Sequence, residues 1–286
     1  MQGKIGNNKT IGKELHDNKL RAKKKFGQNF LINQDILTNI VDKSMIDKNT
    51  LAIEVGPGLG SLTEHLCKNA GYVIAFEIDT DLIPILDDNL KEYSNKKIIN
   101  QDILTVNIEE EINKYKGNLE NVYMVANLPY YITTPIILGL LEQTKMIRKY
   151  TLMVQKEVAD RICGKPSTKD YNALSIAIGY RAKAIKVIDV NRNNFLPAPN
   201  VDSAVIRLDL YDTPLYQAKN EKHFFEFIRL CFNQRRKTLI NNLSSKYNKE
   251  LILEMLDSLS IKQSIRSEEL SIEDFVKMSD YLSERI

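Results

Sequence analysis

Residues 50–79 constrain this chain more than any other stretch. Thr50-Leu51-Ala52-Ile53-Glu54-Val55 is short, largely apolar and partly β-branched, which predicts a buried strand. It runs directly into Gly56-Pro57-Gly58-Leu59-Gly60. A helical pattern follows, for which Ser61 and Glu64 offer a capping box and Gly71 a stop. A second apolar run from Tyr72 then ends in Glu77-Ile78-Asp79. Strand, glycine turn, helix, strand and acid, with Glu77 standing 21 positions after Gly56, is the layout of a nucleotide-type ligand site. The glycines let the backbone approach the ligand, and the acid accepts hydrogen bonds from ribose hydroxyls.

The glycine spacing narrows the ligand. Gly56, Gly58 and Gly60 are spaced G-x-G-x-G, not as in the dinucleotide fingerprint. Ser61-Leu62-Thr63 follows with no lysine, so a phosphate loop is not expected. Glu54 would repel a pyrophosphate and suits a cation. S-adenosylmethionine, with a sulfonium, an ammonium and no phosphate, fits this loop better than NAD or ATP.

Further along, residues 97–100 predict a third strand with Gln101-Asp102 at its end. Asp102 can take the adenine amine of the same ligand or cap the next segment. Val122-Tyr123-Met124-Val125-Ala126 predicts a strand ending in Asn127-Leu128-Pro129-Tyr130. The residue before a proline is pushed toward extended backbone. An amide, a carbonyl on a stiff turn and an aromatic ring suit a flat group bearing an exocyclic amine. The ring stacks, and the amide oxygen and a carbonyl accept the amine hydrogens.

The remaining pattern is α/β as far as residue 211. Helices are expected after Asp35, over 81–93, from Thr134 (N-cap) and Pro135, over 157–162 and over 172–181; strands are expected over 150–155, 184–190 and 203–210. Phe195-Leu196-Pro197-Ala198-Pro199 is rigid and aromatic. Composition changes near residues 212–220, and only helices are expected beyond. The expected domains are a flexible tail (1–21), an α/β domain (22–211) and a small all-helical domain (212–286).

Composition excludes several classes. No run approaches the roughly 20 apolar residues of a membrane span. Cys67, Cys163 and Cys231 are scattered, and the three histidines are dispersed, so neither a disulfide framework nor a metal cluster is expected. The tail lacks the apolar core of a secretion signal, which points to a cytoplasmic protein. Net charge is only +3, but it is concentrated. Five cations, Arg21, Lys23, Lys24 and Lys25 among them, lie between Lys19 and Lys25; Arg235-Arg236-Lys237 forms a second cluster. Two basic patches on a near-neutral chain suggest contact with a polyanion.

Taken in order, several segments resemble the ribosomal RNA adenine N6-dimethyltransferases. They are Phe26-Gly27-Gln28-Asn29-Phe30-Leu31, Glu54 to Gly60, Glu77-Ile78-Asp79, Gln101-Asp102, Asn127 to Pro135, Phe195 to Ser203 and Phe232 to Leu239. The last two resemble the branch that dimethylates two adjacent adenosines near the 3′ end of small-subunit (16S) rRNA. The resemblance implies a Rossmann-like class I S-adenosylmethionine-dependent methyltransferase sheet, and a role in rRNA processing and ribosome biogenesis. It implies no metal, a monomer, and the immature small ribosomal subunit as partner.

Roles carry over by position. Asn29 and Leu31 would cover the donor, Gly56 would lie against its methionine part, Glu77 would take the ribose hydroxyls and Asp102 the adenine amine. Gly58, Ile78 and Ile103 adjoin these positions and complete the donor site. Asn127 would sit between donor and target, with Leu128, Pro129 and Tyr130. Tyr130 and Phe195 would sandwich the target base. The basic residues would hold RNA phosphates. Two other readings stay open: a resistance-type methylase of large-subunit (23S) rRNA, and a non-catalytic ribosome assembly factor.

Overall fold

Apolar, β-branched runs with almost no polar interruption form strands covered on both faces, as parallel sheets require. The structure, a computed structural model, describes Ile5, Lys23 and residues 27–234 and 236–285. In chain order its elements are β1 (Phe30–Leu31), α1 (Gln34–Ser44), β2 (Thr50–Val55), α2 (Ser61–Asn69), β3 (Tyr72–Phe76), α3 (Ile83–Asn89), β4 (Lys96–Ile99) and α4 (Ile108–Lys116). Next come β5 (Asn121–Asn127), α5 (Thr133–Gln143), β6 (Lys149–Gln155), α6 (Lys156–Ile162), α7 (Ala173–Gly179), β7 (Ala182–Val190), β8 (Phe195–Leu196) and β9 (Ser203–Leu210). The chain closes with α8 (Glu221–Cys231), α9 (Leu239–Leu243), α10 (Lys249–Ser258) and α11 (Ile272–Ser283).

Seven strands form one sheet in the order β4-β3-β2-β5-β6-β9-β7. Strands β2 to β6 are parallel, and β9 runs antiparallel to β6. Strand order reverses between β2 and β5, the kind of switch point where open α/β sheets bind ligands. There Ile53 stands opposite Met124, so the glycine turn and the Asn127 turn leave adjacent strands at the same edge. All six residues of β2 are buried, as are the five central residues of β5 and of β6. The two-residue strands β1 and β8 pair antiparallel, Phe30 with Leu196 and Leu31 with Phe195.

Several sequence expectations shift for local reasons. Helix α1 is capped by Asn33, whose side chain accepts from Asp35 and Ile36 N–H; Asp35 lies in the first turn. The capping box at α2 does not form: Gly60, at φ 92°, is the N-cap, and the Glu64 carboxylate is buried against Lys68, Tyr93 and the Ile5 N–H. Pro84 at the head of α3 and the C-cap at Leu90 confine that helix to seven residues. Helix α5 begins at Thr133, one residue ahead of its expected cap, with the Thr133 hydroxyl on the Pro129 carbonyl.

The chain divides into two compact units. One holds the described residues through Ala159 and Ile185–Asp209; the other holds Asp160–Ala184 and the residues from Leu210 onward. Residues 160–184, expected in the α/β domain, therefore belong with the C-terminal helices. Aromatic packing explains this: Tyr171 meets Phe232 at 6.2 Å between ring centroids, and Tyr180 meets Phe224 at 4.7 Å. Both tyrosines and Phe224 are buried. No helix among the described residues is long and apolar enough to cross a membrane.

Candidate functional site

The ends of β2, β3 and β5 and the turn after β4 surround one cavity of about 180 Å³. Glu54 to Gly58 form its floor from β2, Glu77 and Ile78 come from β3, Asp102 and Ile103 follow β4, and Asn127 to Tyr130 follow β5. Residues Gly27 to Leu31 also line it. The structure thus brings together every sequence-predicted donor residue: Asn29, Leu31, Gly56, Gly58, Glu77, Ile78, Asp102, Ile103 and Asn127.

The glycine turn is shaped by what lies on it. Gly58 has φ 60°, and a Cβ there would stand 3.0 Å from the Phe30 ring. Both the left-handed backbone and the nearby ring disfavour a side chain there. Opposite, the 4%-exposed Glu77 accepts hydrogen bonds from the Gly58 N–H (3.1 Å) and the Asp79 N–H (2.8 Å). Its carbonyl accepts the Asn100 side-chain amide at 2.7 Å. Burial pushes the Glu77 pKa up, while the two amides oppose that shift.

Glu54 sets the electrostatics. It is fully buried, it lines the cavity, and its Oε2 has no hydrogen-bond partner. Burial pushes its pKa up to about 8, and the Glu77 charge adds to it. A buried carboxylate must be protonated or meet a positive charge. The cavity therefore suits a ligand that brings a cation to Glu54 and disfavours a phosphate.

Asp102 caps the next segment, one of the two roles read from the sequence, and stands where the other would need it. Its Oδ1 caps the short helical turn Ile103–Thr105 by accepting the Leu104 N–H at 3.0 Å, and the residue lines the cavity. Ile103 is buried, whereas Ile78 is 42% exposed, and both line the cavity.

At the end of β5, Asn127 is half-buried and donates through Nδ2 to the Asn29 carbonyl at 3.3 Å. The Leu128 N–H remains in the sheet, bonded to the Met153 carbonyl, and the Leu128 side chain is buried. The Pro129 carbonyl accepts from the Ile132 N–H and the Thr133 hydroxyl, which closes the turn. The Tyr130 hydroxyl meets Ser203 Oγ at 2.5 Å. Asn127 to Tyr130 are thus fixed by the strand behind them and by Ser203.

Phe195 is a correction. It is 3% exposed and packs in the sheet core with residues such as Leu31, Val125 and Val205, outside the cavity lining. Pairing of β8 with β1 turns its ring inward, so it does not face a target base in this conformation. Tyr131, 54% exposed at the rim, was given no role by the sequence.

The basic residues divide. Lys23, expected on RNA, is engaged by two carboxylates: its Nζ lies 2.6 Å from both Asp79 and Asp81. Arg236 and Lys237 are exposed in the turn between α8 and α9. That turn is anchored by the buried Asn242, which donates to the Cys231 carbonyl (2.7 Å) and accepts the Gln234 N–H (3.0 Å). Arg21, Lys24, Lys25 and Arg235 lie outside the described residues. Among the described residues, no group of three or more His, Cys, Asp or Glu side chains is placed to hold a metal ion.

The cavity and its turn can be set beside known proteins. A protein of Streptococcus pyogenes serotype M3 named ribosomal RNA small subunit methyltransferase A is 48% identical over 267 residues, covering 92% of each chain. The protein of that name from Lachnoclostridium phytofermentans is 46% identical over 287 residues, 99% of each chain. Among solved structures, a dimethyladenosine transferase from Plasmodium falciparum superposes with a TM-score of 0.73 at 26% identity, covering 89% of this chain and 98% of that one. The 23S rRNA methyltransferase ErmE gives 0.68 at 26% identity, covering 89% and 100%. The family model for ribosomal RNA adenine dimethylase matches residues 19–284, so the chain belongs to the ribosomal RNA adenine dimethylase family.

Proposed function

We propose that this chain uses S-adenosylmethionine to dimethylate the N6 amines of two adjacent adenosines near the 3′ end of small-subunit (16S) rRNA, as a step in ribosome biogenesis. One observation carries the reading: Asn127-Leu128-Pro129-Tyr130 borders the same cavity that the buried Glu54 lines. A turn suited to a flat amine and a carboxylate suited to a cation share one space. The small-subunit target is favoured over the 23S one because the relatives at 46–48% identity carry the small-subunit name, against 26% for ErmE.

When bound, S-adenosylmethionine supplies a methyl group on a sulfonium, a good leaving group in an in-line displacement, so catalysis is mostly positioning. Glu54 faces the cationic end. Glu77 exchanges its backbone partners for ribose hydroxyls. Asp102 accepts the adenine amine, with Ile78 and Ile103 beside it, and Asn29, Leu31, Gly56 and Gly58 enclose the remainder. The target adenine leaves its stack to enter. Tyr130 stacks on it, a contact of about 1–3 kcal/mol per base.

The N6 lone pair of adenine is delocalised into the ring, which makes it a poor nucleophile. Asn127 Oδ1 and the Leu128 carbonyl accept its two hydrogens and favour a pyramidal nitrogen. One hydrogen remains after the first transfer, so the same acceptors must hold a monomethylated amine.

Arg236 and Lys237, with Arg21, Lys24, Lys25 and Arg235, hold RNA phosphates and set affinity, while the pocket sets chemistry. The natural partner is the immature small subunit, met by a monomer in the cytoplasm. Two measurements test the reading: calorimetric binding of S-adenosylmethionine to the purified chain, and transfer of labelled methyl groups to separated ribosomal subunits. Absence of donor binding, or label in the large subunit alone, would refute it.

A further inference from the structure

Asp79 takes no part in the chemistry above, yet it is 2% exposed at the end of Glu77-Ile78-Asp79. Its carboxylate accepts from Lys23 Nζ at 2.6 Å, Gln28 Nε2 at 2.8 Å and the Asp81 N–H at 3.2 Å. Lys23 Nζ also bonds Asp81 at 2.6 Å, and the Lys23 N–H donates to Gln28 Oε1 at 2.8 Å. Lys23, Gln28, Asp79 and Asp81 therefore close a ring of hydrogen bonds between the N-terminal segment and the loop after β3. Burial works to raise the Asp79 pKa, and the bonds from Lys23, Gln28 and Asp81 outweigh it, holding the carboxyl below its ordinary value.

This ring joins two walls of the cavity. Gln28 and the residues after it line one side, and Glu77 and Ile78 line the other. Beyond the ring, the wall is held at Phe30 and Leu31 by pairing of β1 with β8, whereas Gly27 to Asn29 rest on softer contacts such as the Asn29 carbonyl on Asn127 Nδ2 at 3.3 Å.

We propose that Asp79 is a positioning residue for the methyl donor, fastening the Gly27–Leu31 wall to the Glu77–Ile78 wall through Gln28 and Lys23. It need not touch the donor. It spares the donor the cost of ordering that wall, which would otherwise be met from binding. The inference rests on the pocket being the S-adenosylmethionine site. Because no residue of the Asn127 turn belongs to the ring, and the one bond from Asn127 to this wall is long at 3.3 Å, the effect falls chiefly on donor affinity and residence.

The test compares Asp79→Ala, Lys23→Met and their double variant with the wild type in the full chain. Donor Kd comes from calorimetry, dissociation from stopped flow, and kcat and donor KM from methylation of small subunits, with thermal midpoints alongside. Asp79→Ala is expected to raise donor Kd and KM about tenfold, chiefly through faster dissociation, with kcat within about twofold. Lys23→Met is expected to give a smaller effect in the same direction, and the double variant no more than Asp79→Ala alone. Folded variants that bind donor like the wild type would overturn the proposal, as would a fall in kcat at unchanged Kd. If Asp79→Ala does not fold, Lys23→Met decides, since the Lys23 side chain is 28% exposed. A wild-type chain that binds no donor removes the donor-site reading itself; a wild type that binds beside unaffected variants removes only the role of Asp79.

Discussion

The hydroxyls of Tyr130 and Ser203 meet at 2.5 Å across 73 residues of sequence. Ser203 is fully buried at the start of β9, so the ring proposed to stack on the target base is tied to the sheet. Burial raises the Tyr130 pKa and the Ser203 bond opposes it.

Ser203→Ala should therefore loosen the ring without removing it. The expected loss is about 1 kcal/mol, roughly fivefold in kcat/KM for rRNA, with donor affinity unchanged. Tyr130→Phe should cost a similar amount, and the double variant little more than either single one. Steady-state kinetics on small subunits measure all three. Additive losses would mean that the hydroxyl pair does not act as a unit.

Asn127→Ala removes the acceptor proposed for the N6 hydrogens and leaves the basic residues untouched. Methylation should be abolished while rRNA binding stays within about twofold, since phosphate contacts dominate affinity. Filter binding and methyl incorporation on the same preparation separate the two. Retained activity would refute the assigned role.

Glu54 gives a pH signature of defined sign. Its folded pKa of about 8 lies above the ordinary 4.5, so between these values the folded chain binds more protons than the unfolded one. Stability of the ligand-free protein should fall as pH rises from about 5 to 8, by a few kcal/mol at most at 1.36 kcal/mol per unit, and level off above. Glu54→Gln cannot ionise and should lack this slope. Thermal midpoints of both proteins across the range provide the check; parallel curves would mean that Glu54 is already ionised when the site is empty.

Neutralising Arg236 and Lys237 together should weaken rRNA binding and reduce the slope of log K against log salt by about 1–2. Both are exposed, so thermal stability should change by no more than about 0.5 kcal/mol. An unchanged slope would remove this turn from the RNA interface.

Much of the site is legible in the sequence because its parts are local. The apolar runs of β2 and β5, the three glycines between Gly56 and Gly60 and the Asn-Leu-Pro turn each carry their conformation within a few residues. What escapes the sequence depends on distant partners. Phe195 looks like a presented ring until β8 is seen paired with β1. Lys23 looks like a phosphate ligand until Asp79 and Asp81 are seen beside it. Helix α7 reads as part of the α/β domain because nothing near Tyr171 or Tyr180 announces Phe232 or Phe224. The Ser61–Glu64 box fails because the left-handed Gly60 takes the cap position and Glu64 turns inward.

The central claim is that this chain places two methyl groups on each of two neighbouring adenosines of small-subunit rRNA. The most direct measurement is mass-spectrometric mapping, at nucleotide resolution, of unmethylated small and large subunits incubated with the purified chain and S-adenosylmethionine. The account predicts N6,N6-dimethyladenosine at two adjacent positions near the 3′ end of the small-subunit RNA, absent with Asn127→Ala. Dimethyladenosine in large-subunit RNA alone, or unmodified RNA in both subunits, would contradict it.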